Sequence, residues 1–340
     1  MILIDAIYIN QGGGKVLLDL LINEAINRKL NVLFLLDERV RDDYLHLEDN
    51  VVFLNASLAT RFYFYFKNKS LFNTVFAFGN YPPPIKLQCD VYTYFQNLLL
   101  IESDFVSIKL CIKKLIFKYL LDYTDHWIVQ TNAVEKKLSQ LIKFSSDIHV
   151  YPFYKQINIK IAIKTVDTTS IKFIYPGSAE TYKNHLNLLM AFEKYSTRYP
   201  NSSLTLTVSD KYRGIVELIE RLILKKVNII NLGWKANNEI ISKCLESDVM
   251  IFPSKKESFG LGLLEAAQLN MPVISSDLDY VYEVIQPSSV FDPYDPNSIY
   301  NCMCDHRNFI HKPAKINIGN KLPDMISFII SNNNKKYVKK

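Results

Sequence analysis

Short apolar runs rich in Val, Ile, Leu and Phe recur along the chain, and most are followed by a stretch in which apolar residues return every three or four positions. The first pattern predicts strands buried on both faces and the second amphipathic helices, so their alternation predicts parallel, doubly wound sheets. Strands are expected at 2–9, 31–36, 51–54, 74–78, 91–95 and 127–130, with helices at 16–28 and 133–142. A polar stretch containing Lys, Thr and Asp at 155–170 breaks this rhythm and reads as a linker. The rhythm then restarts with strands at 171–175, 203–208, 227–232, 249–252 and 272–275, and helices at 186–199, 215–224, 237–245 and from 260 onward. The expected fold is α/β, with two doubly wound Rossmann-like domains facing across a cleft lined by the carboxyl ends of strands, where open α/β folds bind ligands. The expected divisions are 1–160, 161–315 and a helix with a basic tail at 316–340 that packs back on the first domain.

One window of the second half carries chemistry. Glu257 and Glu265 stand eight positions apart across a glycine-broken turn between the strand ending at Phe252 and the helix opening at Gly260. The first backbone N–H groups of such a helix have no internal partner and suit a diphosphate. An ionised acid accepts strong hydrogen bonds from hydroxyls, and a vicinal diol engages both of its oxygens. Two carboxylates beside an anion site therefore suit a sugar nucleotide. The plainer alternative makes Glu265 and Gln268 a narrow solvated stripe and Glu257 an ordinary loop charge.

Composition narrows the setting. A chain of 340 residues with 49% hydrophobic and 22% charged content is globular and long enough for two cores. The net charge of +6 is spread out, without the basic runs and interleaved aromatics of a nucleic-acid track, so no nucleic-acid partner is expected. Cys89, Cys111 and Cys244 stand alone in apolar surroundings, and Cys302-Met303-Cys304 has no second pair at zinc spacing; reduced thiols in a cytoplasmic protein are expected. No basic leader precedes the apolar run at the start, and no window has the length of a spanning helix.

Several motifs in order now carry a family resemblance. The run Phe173-Ile-Tyr-Pro-Gly177-Ser-Ala-Glu-Thr-Tyr-Lys183-Asn184-His185, then Asn231-Leu-Gly233-Trp234, then the Glu257 to Glu265 window and Pro272-Val-Ile-Ser-Ser, resembles the carboxyl-terminal domain of the retaining GT-B glycosyltransferases of family GT4, the glycosyl transferases group 1. The turn Gly12-Gly13-Gly14 and the segment Asp125-His-Trp-Ile-Val-Gln-Thr131 are similar to the family's acceptor-side amino-terminal domain. The resemblance implies the GT-B architecture, with Glu257 on the transferred sugar, Glu265 on the ribose hydroxyls and Lys183 on the donor diphosphate, where a mobile point charge serves. It also implies donor contacts from Gly13, Gly14, Lys15, Gly177, Ser178, Gly233, Trp234, Ser258, Phe259, Gly260 and Leu261, with the base read by loop backbone at 233–236.

Two departures stand out. Ser178 occupies the place where the family often has arginine, so one positive clamp is missing or comes from Lys15, Lys255 or Lys256. Gln96 occupies the place of a histidine and cannot act as a general base, although its amide can hold a sugar hydroxyl or cap the strand end. Retention is expected to run on the donor's own face, with the departing phosphate oxygen taking the acceptor proton. The enzyme then contributes charge placement and closure, with no metal or other cofactor.

The remaining candidates are weighed against plainer roles. Asp277-Leu278-Asp279 looks like a metal-binding pair but reads as a turn before a helix near Glu283. His126 is expected as a packed residue rather than a ligand, and His185 as a cap or border of the phosphate loop. The run Arg61 to Phe66 reads most simply as buried packing, with a sugar-stacking or lipid-facing edge as the alternative. On a helix at 107–121, Lys109, Lys113, Lys114 and Lys118 share one half with Leu110, Phe117 and Leu121, and Ile112, Leu115, Ile116 and Tyr119 take the other. That mixture suits an anionic bilayer, while a solvated lysine face is the alternative. The expected function is transfer of a sugar from a nucleoside diphosphate sugar to a glycan or polyprenyl-diphosphate-linked acceptor in surface-polysaccharide (O-antigen or capsule) assembly, on the inner face of the cell membrane. The competing readings are a catalytically silent GT-B binding subunit and a sugar-nucleotide epimerase of GT-B architecture. An NAD enzyme is disfavoured, because Gly12 to Gly14 lacks the dinucleotide spacing and Asp37 is the nearest approach to a ribose acid.

Overall fold

The computed structural model describes residues 1–102, 107–142, 146–159, 167–307 and 312–335. They form two compact units, Met1–Lys155 with the segment from Gly319, and Gln156–Ile318. Residues 160–166 of the polar stretch expected as a linker lie outside the described residues.

The first unit runs β1 (Ile2–Ala6), α1 (Gly12–Asn27), β2 (Val32–Asp37), β3 (Val51–Leu54), α2 (Leu58–Asn68), β4 (Thr74–Ala77), β5 (Asp90–Tyr94), α3 (Ile108–Leu120), β6 (His126–Val129), α4 (Asn132–Ser139) and β7 (Asp147–Val150). Its seven strands are parallel in the order β3-β2-β1-β4-β5-β6-β7. Two predicted bounds change here. β1 ends at Ala6 rather than at 9, because the Asp5 carboxylate accepts the Ile7 N–H at 3.3 Å and the chain turns. α1 opens at Gly12, so the glycines form its first turn instead of preceding it. β7 escapes the hydrophobic pattern because Asp147-Ile148-His149-Val150 alternates polar with apolar, as an edge strand does.

The second unit runs β8 (Lys172–Tyr175), α5 (His185–Arg198), β9 (Ser203–Leu206), α6 (Arg213–Leu224), β10 (Ile229–Asn231), α7 (Asn237–Glu246), β11 (Val249–Phe252), α8 (Leu261–Gln268), β12 (Val273–Ser276), α9 (Asp279–Val284), β13 (Ile285–Gln286), β14 (Ser289–Phe291), α10 (Pro296–His306) and β15 (Lys315–Ile316). Its main sheet is parallel in the order β10-β9-β8-β11-β12-β14, and β13 pairs antiparallel with β15. Both sheets carry the doubly wound order, which reverses between β1 and β4 in one and between β8 and β11 in the other. α11 (Leu322–Lys335) returns to the first unit, where Arg28 donates to Ser327 Oγ at 2.9 Å and to Pro323 O at 3.1 Å. The basic tail expected after it lies outside the described residues.

Two helix faces of the first unit differ from expectation. On α3, Phe117, Leu120 and the following Leu121 are buried, while Ile108, Ile112, Leu115 and Tyr119 stand exposed between Lys109, Lys113 and Lys118. Phe117 and Leu121, expected among the lysines, thus go inward, and Ile112, Leu115 and Tyr119 of the half expected opposite face out. Phe117 decides this, because it packs against Phe95 and Trp127. On α2 the aromatic run is not uniformly buried: Phe64 and Tyr65 go inward, and Phe62, Tyr63 and Phe66 are exposed, with Phe62 stacked on Phe66. The 3.6-residue helical period puts Arg61, Phe64 and Tyr65 on one face and Phe62, Tyr63 and Phe66 on the other.

Arg61 anchors the same helix to the sheet. Its guanidinium is fully buried and donates to Asp5 Oδ2 at 2.7 Å, to Pro82 O at 2.8 Å and to Tyr81 O at 2.9 Å. Tyr65 donates to the same carboxylate oxygen at 2.7 Å. Burial alone would depress the Arg61 pKa, but Asp5, Tyr65 and Tyr8 raise it, so the cation persists. Arg61→Met, which strands the Asp5 charge, is expected to destabilise the protein by about 3–5 kcal/mol, and adding Asp5→Asn to restore part of that loss. Urea unfolding of the single and double variants measures both effects.

Candidate active site

The loop after β8 begins at the point where the second sheet reverses order. Gly177 donates its N–H to Thr207 Oγ1 at 2.9 Å, which ties this loop to the end of β9. Ser178 donates to Glu180, and Tyr212 donates to the other oxygen of the same carboxylate. Burial would raise the Glu180 pKa, but these two hydrogen bonds hold it below the usual carboxylate range. A short helical turn, Thr181–Lys183, follows and ends at Asn184, whose backbone is left-handed with φ +64°. Asparagine tolerates that conformation. Its side-chain amide then donates to Pro253 O at 3.0 Å and to Pro293 O at 2.7 Å.

The loop after β11 lies on the other side of the reversal. Lys255 donates its N–H to Tyr182 O at 2.7 Å, and Tyr280 donates its hydroxyl to Ser254 O at 2.7 Å. Gly260 closes this loop at φ +79°, a conformation strained for a side chain, and a Cβ there would crowd Leu263 Cδ1 at 3.1 Å. Gly262 lets α8 press on β11, since a Cβ there would stand 3.3 Å from the Phe252 ring. No side chain caps either α5 or α8, and neither first turn contains an acid. Both helix starts therefore favour an anion.

Between these loops Lys183 Nζ meets Glu257 Oε1 at 2.6 Å, with both side chains less than one-fifth exposed. Three tyrosines surround the pair. Tyr175, Tyr182 and Tyr280 have pKa values raised by burial first and by the Glu257 charge second, so all three stay neutral hydroxyls. Glu265, on α8, accepts from Asn237 Nδ2 at 2.8 Å. The Gly233 turn, at φ +68°, is shaped by Asn231, whose amide exchanges bonds with Val208 N and O at 2.9 and 3.0 Å. Trp234 is 68% exposed beside it.

The other candidates are placed as follows. In the first unit, Gly14 lies against Ile9 and Gln96, with its built Cβ 3.5 Å from Gln96 Nε2, so the glycine turn and Gln96 do meet. Gly13 sits in the same first turn of α1. Lys15 is already paired, with Asp19 at 3.2 Å and Asp43 at 3.3 Å. Lys255 lies over the Tyr294 ring at 5.0 Å. Asp277 accepts from Tyr282 at 2.6 Å and Asp279 opens α9.

Residues 156–301 match the model of the family described as glycosyl transferases group 1. The second unit belongs to that family. Over 174 residues the chain is 27% identical to an uncharacterized glycosyltransferase of Methanocaldococcus jannaschii, covering 48% of this chain and 42% of the relative. Over 136 residues it is 29% identical to the O-antigen chain mannosyltransferase B of Escherichia coli, covering 37% and 34%. The matches thus span less than half of either relative. The sucrose-phosphate synthase of Thermosynechococcus elongatus superposes with a TM-score of 0.72 at 14% identity, over 90% of this chain and 89% of that one. With two doubly wound units in the chain, that likeness gives the chain the GT-B fold.

Sequence patterns assigned no role to Asn184, Thr207, Asn231, Asn237 or Glu180, which hold the loops in place. Asn184 had one visible signal, a polar turn-former directly before an apolar-periodic run. His185, the first residue of α5, is buried against the Tyr175 ring at 4.8 Å. Burial first, and the Lys183 charge second, push its pKa down to about 4. An unfolded histidine titrates near 6.5, so the unfolded state binds the extra proton and stability falls as pH drops through that window. Wild type is expected to lose about 3 kcal/mol between pH 6.5 and 4 through this group, and His185→Phe to flatten that part of the curve. Urea midpoints measured across the range test it.

Proposed function

We propose that the protein is a retaining glycosyltransferase that moves a sugar from a nucleoside diphosphate sugar to a glycan or polyprenyl-diphosphate-linked acceptor in surface-polysaccharide assembly. The observation that carries this reading is the Lys183–Glu257 pair at 2.6 Å, set between two uncapped helix starts at the reversal of the second sheet. Donor binding exchanges partners there. Lys183 turns from Glu257 to the diphosphate, and Glu257, released, accepts from hydroxyls of the transferred sugar. Glu265 takes the ribose diol in place of Asn237. No side chain at Gln96 can remove the acceptor proton, so the departing phosphate oxygen takes it on the donor's own face, and the reaction needs no metal. The group 1 family and the O-antigen mannosyltransferase relative support a nucleotide-sugar donor and a surface glycan. A silent binding subunit is the second reading. It draws on Ser178, whose hydroxyl is bonded to an acid where the family often has a cation.

Titration calorimetry with UDP, GDP and ADP separates the two readings, since a silent subunit binds none. Glu265→Gln is expected to weaken binding of the preferred nucleotide by roughly 1.5–3 kcal/mol. Lys183→Ala should lower kcat/KM about tenfold or more, and transfer should persist in EDTA. Glu257→Gln is expected to bind free nucleotide at least as well as wild type, because Lys183 no longer has a competing carboxylate, and to turn over more slowly. Unchanged nucleotide affinity in Glu265→Gln overturns the ribose assignment.

The acceptor side rests on α3. Its exposed Ile108, Ile112, Leu115 and Tyr119 stand among lysines, as on a helix lying in an anionic interface. Beside it runs an apolar groove of about 390 Å³ lined by Leu100, Ile101, Leu115, Leu121 and Leu141, with Lys114 and Lys118 contributing. Such a groove suits the hydrocarbon of a lipid-linked acceptor on a cytoplasmic membrane face. No helix among the described residues is long and apolar enough to cross a membrane. The protein is expected to co-sediment with phosphatidylglycerol vesicles at low salt and to detach as ionic strength passes about 0.1 M, where screening acts within about 10 Å. Replacing Lys109, Lys113, Lys114 and Lys118 with Gln should cost up to roughly 1 kcal/mol per lysine, and Leu115→Ser with Tyr119→Ser should weaken binding at every salt concentration. Equal vesicle binding by all three proteins removes the membrane from this account.

A further inference from the structure

At the far edge of the first sheet, β6 and β7 bring three metal-ligating side chains together. His126 and Asp147 open the two strands and are paired in register, and His149 follows Asp147 by two residues, so all three share one face. One ligand atom from each lies within 4.8 Å of the others, and His126 Nδ1 is 3.9 Å from Asp147 Oδ2. His126 Nδ1 and His149 Nε2 are both buried without a hydrogen-bond partner. Most buried side-chain nitrogens have a partner; His185 also lacks one, but among the described residues it has no cluster of ligating side chains beside it, whereas His126 and His149 stand together with Asp147. Here the rings are instead clamped in place, His126 stacked on Tyr92 at 4.7 Å and His149 against Phe328 of α11 at 4.3 Å. Among the described residues no other group of three His, Cys, Asp or Glu side chains has this arrangement.

We propose that His126, Asp147 and His149 bind a borderline divalent cation of the zinc class, at a site separate from the sugar-nucleotide site. Two imidazoles and one carboxylate are a donor set for such an ion, with water completing the shell. Bonds of about 2.0–2.2 Å place tetrahedral ligands about 3.3 Å apart, so the set closes by roughly 1 Å on binding. The Asp147 side chain is 78% exposed and free to make that movement. The ion would fasten β7, an edge strand with a neighbour on one side only, to β6 beneath α11. This proposal does not rest on the transferase reading.

The test uses the full chain stripped with chelator and titrated with Zn²⁺, followed by calorimetry and thermal unfolding. One equivalent is expected to bind and to raise Tm. Asp147→Asn and His149→Gln should each weaken binding about tenfold or more and abolish the Tm shift. The exposed position of Asp147 keeps the first variant folded. Cobalt(II) in place of zinc should show no thiolate charge-transfer band, which separates this site from the free cysteines. Absence of zinc binding, binding unchanged in both variants, or a thiolate band overturns the proposal.

Discussion

The second unit depends on one side chain in an unusual conformation. Asn184 leaves the turn after β8 with a left-handed backbone, and its amide reaches two carbonyls, Pro253 O and Pro293 O, from segments far away in sequence. That amide fixes the distance between the loop carrying Lys183 and the loop carrying Glu257. Two backbone contacts reinforce it, Lys255 N to Tyr182 O and Tyr280 to Ser254 O. Each satisfies a carbonyl in a crowded, half-dry place, where an unpaired polar group costs about 1–3 kcal/mol. The loops are therefore held by the need to complete hydrogen bonds, and the ion pair sits in the frame they make.

The electrostatics of that frame suit a diphosphate more than a proton transfer. The tyrosines and the histidine around Lys183 and Glu257 are forced neutral. Burial drives Tyr175, Tyr182 and Tyr280 upward and His185 down to about 4. What remains is the Lys183 cation, the carboxylates of Glu257 and Glu180, and two helix starts. Charge is thus placed in advance, and little solvent has to be rearranged when a charged substrate arrives.

The first unit divides its polar chemistry differently. Its largest buried charge pair, Arg61 with Asp5, is closed off by Tyr65 and two carbonyls, so it serves architecture. Its outward faces are unusually apolar, with Phe62, Tyr63 and Phe66 on α2 and Ile112, Leu115 and Tyr119 on α3. Such residues normally have something to lie against. The lipid-linked acceptor proposed above is one partner of matching chemistry for that apolar surface.

Much of this was legible in the sequence wherever one residue or one short window carried the information. The alternation of apolar runs announced parallel sheets, the Gly260 turn announced a helix start with Glu257 and Glu265 on either side of it, and Lys183 came from the family resemblance. Periodicity along one segment suffices for such features, because backbone conformation is largely local. Partners and faces were not legible. Lys183 and Glu257 are 74 positions apart in sequence, and Asn237 and Glu265 are 28 apart; only the folding of two loops to one end of a sheet joins them. The edge strand β7 was missed because half of it is polar, and with it the meeting of His126, Asp147 and His149. The inward side of α3 could not be read from lysine spacing, since it was decided by whether Phe117 could reach Trp127. Local sequence determined which elements form, and tertiary packing decided which faces and which charges meet, because burial and ion pairing are properties of neighbours that the chain brings together only when folded.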